Sequence, residues 1–203
     1  MIWRLWGASP SRWNQAGTTS TIWRPSERSW GTSSDGGGTV SSGDGSYAAE
    51  LAGRVSGAGR RFGVVASRFN SHITEALLQS AVQCLTEQGT ATENVEVYRV
   101  PGAWELPQAC GRLARAGRHD ALLALGCLIR GETLHLELIA GEVARGLGAV
   151  ALDTGVPVVF GVLTTETEAQ AIDRADPAGG DKGREAALAA LEMAELFGRL
   201  NTG

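Results

Sequence analysis

The chain has 203 residues, 18 Lys and Arg against 22 Asp and Glu, and a net charge of −4 at neutral pH. That length holds one domain with sequence left over, and the acidic balance argues against general nucleic-acid binding. No apolar run approaches the roughly 20 residues that span a bilayer.

The three cysteines, Cys84, Cys110 and Cys127, form no C-x-x-C pair, and each sits inside an apolar pattern. Buried thiols in a reducing compartment are expected. His72, His119 and His135 are far apart and share no helix-face spacing, so no metal site is expected.

Residues 1–58 differ from the rest. Five of the six tryptophans lie there, among Ser, Thr, Gly and Arg, with neither strand nor helix period. The first 34 residues carry four arginines against one acid, Glu27. An Arg- and Ser-rich, acid-poor leader is compatible with a transit peptide. The tryptophans suit one poorly, and a disordered tail or a wrongly chosen start is the preferred expectation. The domain is taken as residues 59–203.

From Arg60 the pattern becomes regular. Phe62–Ser67 is a short apolar run and predicts the first strand. Asn70 or Ser71 is placed to cap the next helix, in which Ile73, Leu77, Ala81 and Leu85 mark one face and which Gly89 closes. Val95–Val100 alternates and predicts the second strand, broken by Pro101-Gly102. The helix after it sets Leu106, Ala109, Cys110 and Leu113 on one face, tolerates Pro107 in its first turn and ends by Gly117. The third strand begins at Ala121 and is expected to break at Gly126, where the sequence turns towards the polar stretch Arg130-Gly-Glu-Thr-Leu-His135. A helix with Ile139, Val143 and Leu147 inward follows. Pro157–Leu163 predicts the fourth strand, and Thr165-x-x-Glu168 has the form of a capping box before a short helix. After a loop over residues 176–183, the last helix aligns Ala187, Leu188, Leu191 and Ala194.

This β-α-β-α-β-α-β-α-α order predicts a three-layer α/β/α fold with a four-stranded parallel sheet of flavodoxin-like topology. A parallel sheet sends all strand carboxyl ends to one edge, where ligands bind. Phe69 and Asn70, Trp104 and Glu105, Arg130 to His135, and Phe160 are expected just past those ends. Phe69 and Trp104 suit a planar heterocycle or serve as core filler. Glu105 suits a hydroxylated chain or is a helix N-terminal acid. Gly131 to Thr133 suit a phosphate at a helix N-terminus, with Arg174 or Lys182 as counter-charge or as solvated helix-end charges. An imidazole such as His135 moves protons near neutral pH, though a lone loop histidine is more often solvated. No G-x-G-x-x-G and no G-x-x-x-x-G-K-[ST] occurs, which disfavours dinucleotides and nucleoside triphosphates.

Six segments, in order from about Arg60 to Leu200, together resemble the lumazine synthase family. They are Ser67-Arg-Phe-Asn70, Val100-Pro-Gly-Ala-Trp-Glu105, Leu125-Gly-Cys-Leu-Ile-Arg-Gly-Glu-Thr-Leu-His135, Asp153–Thr164, Ala171-Ile-Asp-Arg174 and Asp181-Lys-Gly183. The resemblance implies a transferase of riboflavin biosynthesis that needs no metal or organic cofactor. It would condense 5-amino-6-(D-ribitylamino)uracil with 3,4-dihydroxy-2-butanone 4-phosphate, giving 6,7-dimethyl-8-ribityllumazine, phosphate and water.

Carried over by position, Phe69 would stack on the pyrimidine, and Asn70, Ala103, Trp104 and Glu105 would hold the ribityl and pyrimidine side. The backbone of Cys127, Leu128 and Ile129 would read the pyrimidine edge. Gly131, Glu132 and Thr133 would cradle the phosphate with Arg174 and Lys182 nearby, and His135 would shuttle protons. Phe160 would come from a neighbouring subunit. The resemblance further implies a homo-oligomer with interface sites, a pentamer or a sixty-subunit shell, and an association with riboflavin synthase. It places the protein in the cytoplasm, or in a plastid if residues 1–58 are a transit peptide. Leu134 and Leu136 replace the proline and aromatic usual around the histidine, and Asp176 and Asp181 replace glycine and asparagine. A non-catalytic flavin- or lumazine-binding shell on the same scaffold is the alternative function.

Overall fold

The computed structural model describes residues 53–201. The expected extension over residues 1–58 therefore lies, up to residue 52, outside the described residues. The strands are β1 (Phe62–Ser67), β2 (Val95–Val100), β3 (Ala121–Ile129) and β4 (Val158–Thr165). The helices are α1 (Ser71–Glu87), α2 (Leu106–Arg115), α3 (His135–Thr154), α4 (Glu168–Ala175) and α5 (Lys182–Leu200). All strand pairs are parallel, in the order β2-β1-β3-β4. This is a three-layer α/β/α sandwich of flavodoxin-like topology.

Side-chain alternation along each strand splits the core in two. Phe62, Val64, Ala66, Leu123, Leu125 and Cys127 pack under α1, α4 and α5 with Ile73, Leu77, Leu85 and Leu191. Val65, Leu122, Ala124 and Val162 pack under α2 and α3 with Leu106, Cys110, Val143 and Leu147. The faces expected for all four long helices are the ones that point inward. Burial on both faces explains why β1 and β3 read as unbroken apolar runs.

Two local expectations change. The third strand does not break at Gly126 but continues through it to Ile129, in register with Thr165 of β4. Gly126 lies under α2, where an added methyl would approach Leu106 Cδ1 at 3.2 Å; the glycine marks close packing, not a turn. The α4 cap is Thr167, whose Oγ1 accepts from Gln170 N at 3.2 Å. Thr165 is unavailable because it belongs to β4. Ahead of β1, Gly57 N–H donates to Gln88 O at 2.8 Å, just past the end of α1.

Candidate active site

The carboxyl edge of β1, β2 and β3 opens into a cleft of about 520 Å³. Its wall is built from three consecutive strand–helix turns. The turn after β1 is pinned twice: Arg68 N–H donates to Val100 O at 2.8 Å, and Phe69 N–H donates to Ser67 Oγ at 3.2 Å. The ring of Phe69 is left 65% exposed over the cleft. Asn70 adopts the left-handed conformation (φ 55°) and caps nothing with its side chain. Asparagine tolerates that conformation better than other branched or bulky residues. Its Nδ2 instead donates to the Cys127 carbonyl at 3.1 Å, tying this turn to the end of β3.

After β2, Ala103–Glu105 form a single 3₁₀ turn. Ala103 is buried beneath it, and the Trp104 ring remains 48% exposed at the cleft wall. Glu105 Oε2 accepts from Gly102 N–H at 2.9 Å, so this carboxylate does hold its own helix entrance, as a helix N-terminal acid would. Its second oxygen remains for a ligand.

The turn after β3 forms the other half. Leu128, Ile129, Gly131, Thr133, His135, Leu136 and Ile139 complete the lining. His135 is the first residue of α3, a helix of 20 residues, and the N-cap residue Leu134 provides no side-chain cap. The N-cap therefore supplies no side-chain acceptor to the first turn of a long helix, at the positive end of its dipole. An added methyl at Gly131 would meet nothing within 4 Å, so the backbone there is open to a ligand. Such an end holds a phosphate or another anion through backbone donors.

Nine predicted residues therefore meet in one cleft: Phe69, Ala103, Trp104, Glu105, Leu128, Ile129, Gly131, Thr133 and His135. Asn70 acts beside it. Cys127 points the other way: its side chain is 1% exposed in the α1, α4 and α5 core, and burial pushes the thiol up to about 11. Cys127 does not line the cleft, and its carbonyl is taken by Asn70. Glu132 is exposed and does not line the cleft.

Phe160, Arg174 and Lys182 do not join the cleft of their own chain. Phe160 is not past the end of β4, as its position in the sequence suggested. It pairs with Ala124 in mid-strand, five residues before Thr165, and projects 45% exposed from the sheet edge. It lines a separate cavity of about 290 Å³ with Lys182 and Glu185, where Lys182 Nζ donates to both Glu185 oxygens at 2.8 and 2.6 Å. Arg174 is exposed on α4 and donates to Gln170 O at 3.3 Å.

The two unusual aspartates have local work. Asp176 Oδ1 accepts from Ala178 N–H at 2.8 Å. Asp181 caps α5 through Arg184 N–H at 3.3 Å and also bonds Ser80 Oγ. Four residues that sequence reasoning left without a site role also belong to this edge: Pro101, Gly102, Leu136 and Ile139 line the cleft. Leu136 and Ile139 are three apart on α3, a helical spacing that was readable once the helix start was known. Among the described residues, no group of three or more His, Cys, Asp and Glu is arranged to hold a metal, and no helix is long and apolar enough to cross a membrane.

A parallel α/β/α sandwich of flavodoxin-like topology, with an aromatic-walled cleft and an uncapped helix end at the carboxyl edge of its sheet, defines a class of small-ligand proteins. The comparisons narrow it. The sequence profile of the 6,7-dimethyl-8-ribityllumazine synthase family matches residues 59–198. A 6,7-dimethyl-8-ribityllumazine synthase of Chlorobium phaeobacteroides (strain DSM 266 / SMG 266 / 2430) is 47% identical over 148 residues, 73% of this chain and 96% of the relative. One of Aquifex aeolicus (strain VF5) is 48% identical over 145 residues, 71% of this chain and 94% of the relative. One of Desulfatibacillum aliphaticivorans is 44% identical over 146 residues, 72% and 94%. The chain belongs to the 6,7-dimethyl-8-ribityllumazine synthase family, and with it to the transferases of riboflavin biosynthesis.

Proposed function

We propose that the cleft condenses 5-amino-6-(D-ribitylamino)uracil with 3,4-dihydroxy-2-butanone 4-phosphate to give 6,7-dimethyl-8-ribityllumazine. The observation that carries this reading is the division of one cleft into two halves of different chemistry. One half has exposed aromatic rings and a carboxylate, Phe69, Trp104 and Glu105; the other is an open, uncapped helix end with His135 as its first residue.

Phe69 stacks on the pyrimidinedione, whose polar edge meets the backbone of Cys127 to Ile129. Glu105 takes ribityl hydroxyls with the oxygen that Gly102 leaves free, and Asn70, Ala103 and Trp104 bound that side. Gly131 to Thr133 bind the phosphate through N–H groups. Holding two substrates in attack geometry supplies several kcal/mol of the barrier on its own, up to about 7–11 in well-oriented cases. The 5-amino nitrogen attacks the ketone carbon, and loss of water leaves a Schiff base. Loss of the proton from the hydroxyl-bearing carbon beside the imine expels phosphate, with the C–O electron pair leaving on it, and the resulting enol tautomerises to a ketone. The ribityl-bearing nitrogen then closes the ring on that new carbonyl, and a second water leaves. Each step moves a proton at nitrogen, carbon or oxygen, and His135 accepts and returns it.

The reading includes a homo-oligomer with the site completed by a neighbour, as a pentamer or a sixty-subunit shell of twelve pentamers. Its support is apolar surface. Leu134, Leu138 and Leu152 along α3 are 72, 67 and 88% exposed, and Phe160 projects from the edge strand β4. Phe160, with Lys182 and Arg174, would complete the neighbour's cleft. Riboflavin synthase is the proposed consumer and associate, and the cytoplasm the proposed compartment.

The test is turnover. The purified chain and a chain beginning at residue 59 are mixed with both substrates, and lumazine is followed by its absorbance. Product from both is expected. Silence from both, with light scattering that shows five or sixty subunits, would reject the enzyme in favour of a non-catalytic binding shell.

A further inference from the structure

The exposed turn Gly131–Leu134 contains the anion cradle and delivers His135, yet little holds it in place. All four residues and His135 are exposed. The first helical bond after the turn, Leu138 N–H to Leu134 O, is long at 3.3 Å. Its firm attachments lie at its flanks and converge on one residue. The backbone N–H of Arg130 donates to Thr165 O at 2.9 Å, extending the β3–β4 ladder by one step. The guanidinium then forks: Nε bonds Glu166, which follows β4, and Nη1 bonds Glu137, two residues into α3. One planar side chain thus bridges the two ends of the turn and fastens both to the neighbouring strand's exit.

Only a guanidinium can do this. Its donors are set in a rigid plane and address two carboxylates at once, whereas an ammonium is a point charge on a flexible stem. The arrangement also excludes the obvious alternative. Arg130 is one cation between two carboxylates, so the local charge is already net negative, and this arginine has no charge left over with which to attract a phosphate. Its worth lies in geometry.

Resting on the proposed condensation, we infer that Arg130 is a positioning residue of the site: the Glu166–Arg130–Glu137 bridge sets the separation between the Gly131–Thr133 anion cradle and His135 without touching substrate. A misplacement of about 1 Å in such a constellation can cost about 10²-fold in rate. The exposed ion pairs themselves contribute little to global stability.

The experiment compares Arg130→Lys, Arg130→Met, Glu166→Gln and the double variant Arg130→Met/Glu166→Gln with the wild-type assembly. Positioning predicts that Arg130→Lys loses about as much kcat as Arg130→Met, up to about 10²-fold. It also predicts that Glu166→Gln loses kcat with no rise in KM for the phosphorylated substrate, and that the double variant is no worse than Arg130→Met. A phosphate ligand predicts the reverse: Arg130→Lys close to wild type, and Arg130→Met altered chiefly in KM. That pattern overturns the inference. If the wild type itself forms no lumazine, the proposed function has failed and the bridge is read directly by hydrogen exchange. Arg130→Lys should speed exchange of the amides of residues 138–141 in the first turns of α3, with the thermal midpoint unmoved. Unchanged exchange there overturns the inference independently of any activity.

Discussion

Gly183→Ala offers a sharp test of how α5 is seated. Gly183 is the second residue of α5 and lies on the backbone of α1. A methyl carbon there would stand 2.3 Å from the Leu77 carbonyl oxygen and 3.0 Å from its Cα. The helix would have to withdraw by roughly 0.7 Å before the contact reached even 3.0 Å, and a gap of that size forfeits a quarter to a half of each neighbouring dispersion contact. The seat cannot yield easily. Ala186, Ala187, Ala190, Leu191 and Ala194 of α5 are buried in the core, and Asp181 locks the start of α5 to Ser80 of α1. Overpacking of this kind costs about 1–3 kcal/mol or somewhat more, and the better helix propensity of alanine returns at most about 1. The net expectation is a loss of about 2 kcal/mol. For a domain of this size that lowers the thermal midpoint by about 4–8 °C. Wild type and variant are compared by calorimetry at one protein concentration, because assembly makes the midpoint concentration-dependent. Adding Leu77→Ala should bring no relief, since the obstacle is a backbone oxygen. A variant as stable as wild type, or a rescue by Leu77→Ala, would refute the backbone-on-backbone account.

Other expectations follow from single features. His135→Ala should slow turnover by about 10²-fold or less if the imidazole only shuttles protons, and an unchanged rate would remove it from the mechanism. Asn70→Gly keeps the left-handed turn while Asn70→Ala strains it. Both lose the bond to Cys127 O, so Ala should be less stable than Gly by about 1–2 kcal/mol in denaturant titrations. Burial pushes the Cys110 thiol up to about 12 and the Cys127 thiol up to about 11. Unfolded thiols ionise near pH 8.5–9, so the unfolded chain releases these protons first and stability is full below pH 8.5 and falls across pH 9 to 11. Cys110→Ala should lessen that slope by up to about 1.4 kcal/mol per pH unit, read from urea midpoints. The His119 imidazole is 1% exposed, has no hydrogen-bond partner on either nitrogen, and faces Glu96 at 3.6 Å, with Arg118, Arg61 and Tyr98 around that carboxylate. Burial holds its pKa below the ordinary value, so its contribution is complete above about pH 6.5 and is lost as the unfolded chain takes up a proton below it. His119→Leu should therefore flatten the acid limb between pH 6.5 and 5; an unchanged limb would refute the assignment.

The elements were legible where one local signal had no rival. Phe62–Ser67 and Val95–Val100 read as strands because turn residues bound them, and the observed bounds coincide. The inward faces of α1 and α5 followed from spacing alone. Legibility failed where tertiary context chose between two local options. Gly126 looked like a breaker, yet a glycine in a strand can also admit a neighbour, here Leu106. Two threonines could cap α4, and β4 claimed Thr165 through its pairing with Ile129. The depth of Phe160 depends on sheet register, and the Arg130–Glu166 contact joins residues 36 apart; neither has a local signature. The cleft was largely legible because a parallel sheet gathers the turns after its strands whatever their sequence.

The electrostatics of the cleft bear on the proposed assembly. Its lining contains no lysine and no arginine. What it offers an anion is the backbone end of α3, equivalent to roughly half an elementary charge. Arg130 beside it is bonded to two carboxylates, and Lys182 is bonded to Glu185. A phosphate ester carries nearly two negative charges near neutral pH. A lone subunit therefore undercharges the anion half of the site, while Arg174 and Lys182 lie off it and Phe160 projects from the sheet edge. A neighbour that brings those groups to the cleft would supply the missing charge and cover the exposed apolar surface in one step. It would also leave release feasible, because the anion would be held mainly by backbone donors within one chain and by cations that already have carboxylate or carbonyl partners of their own.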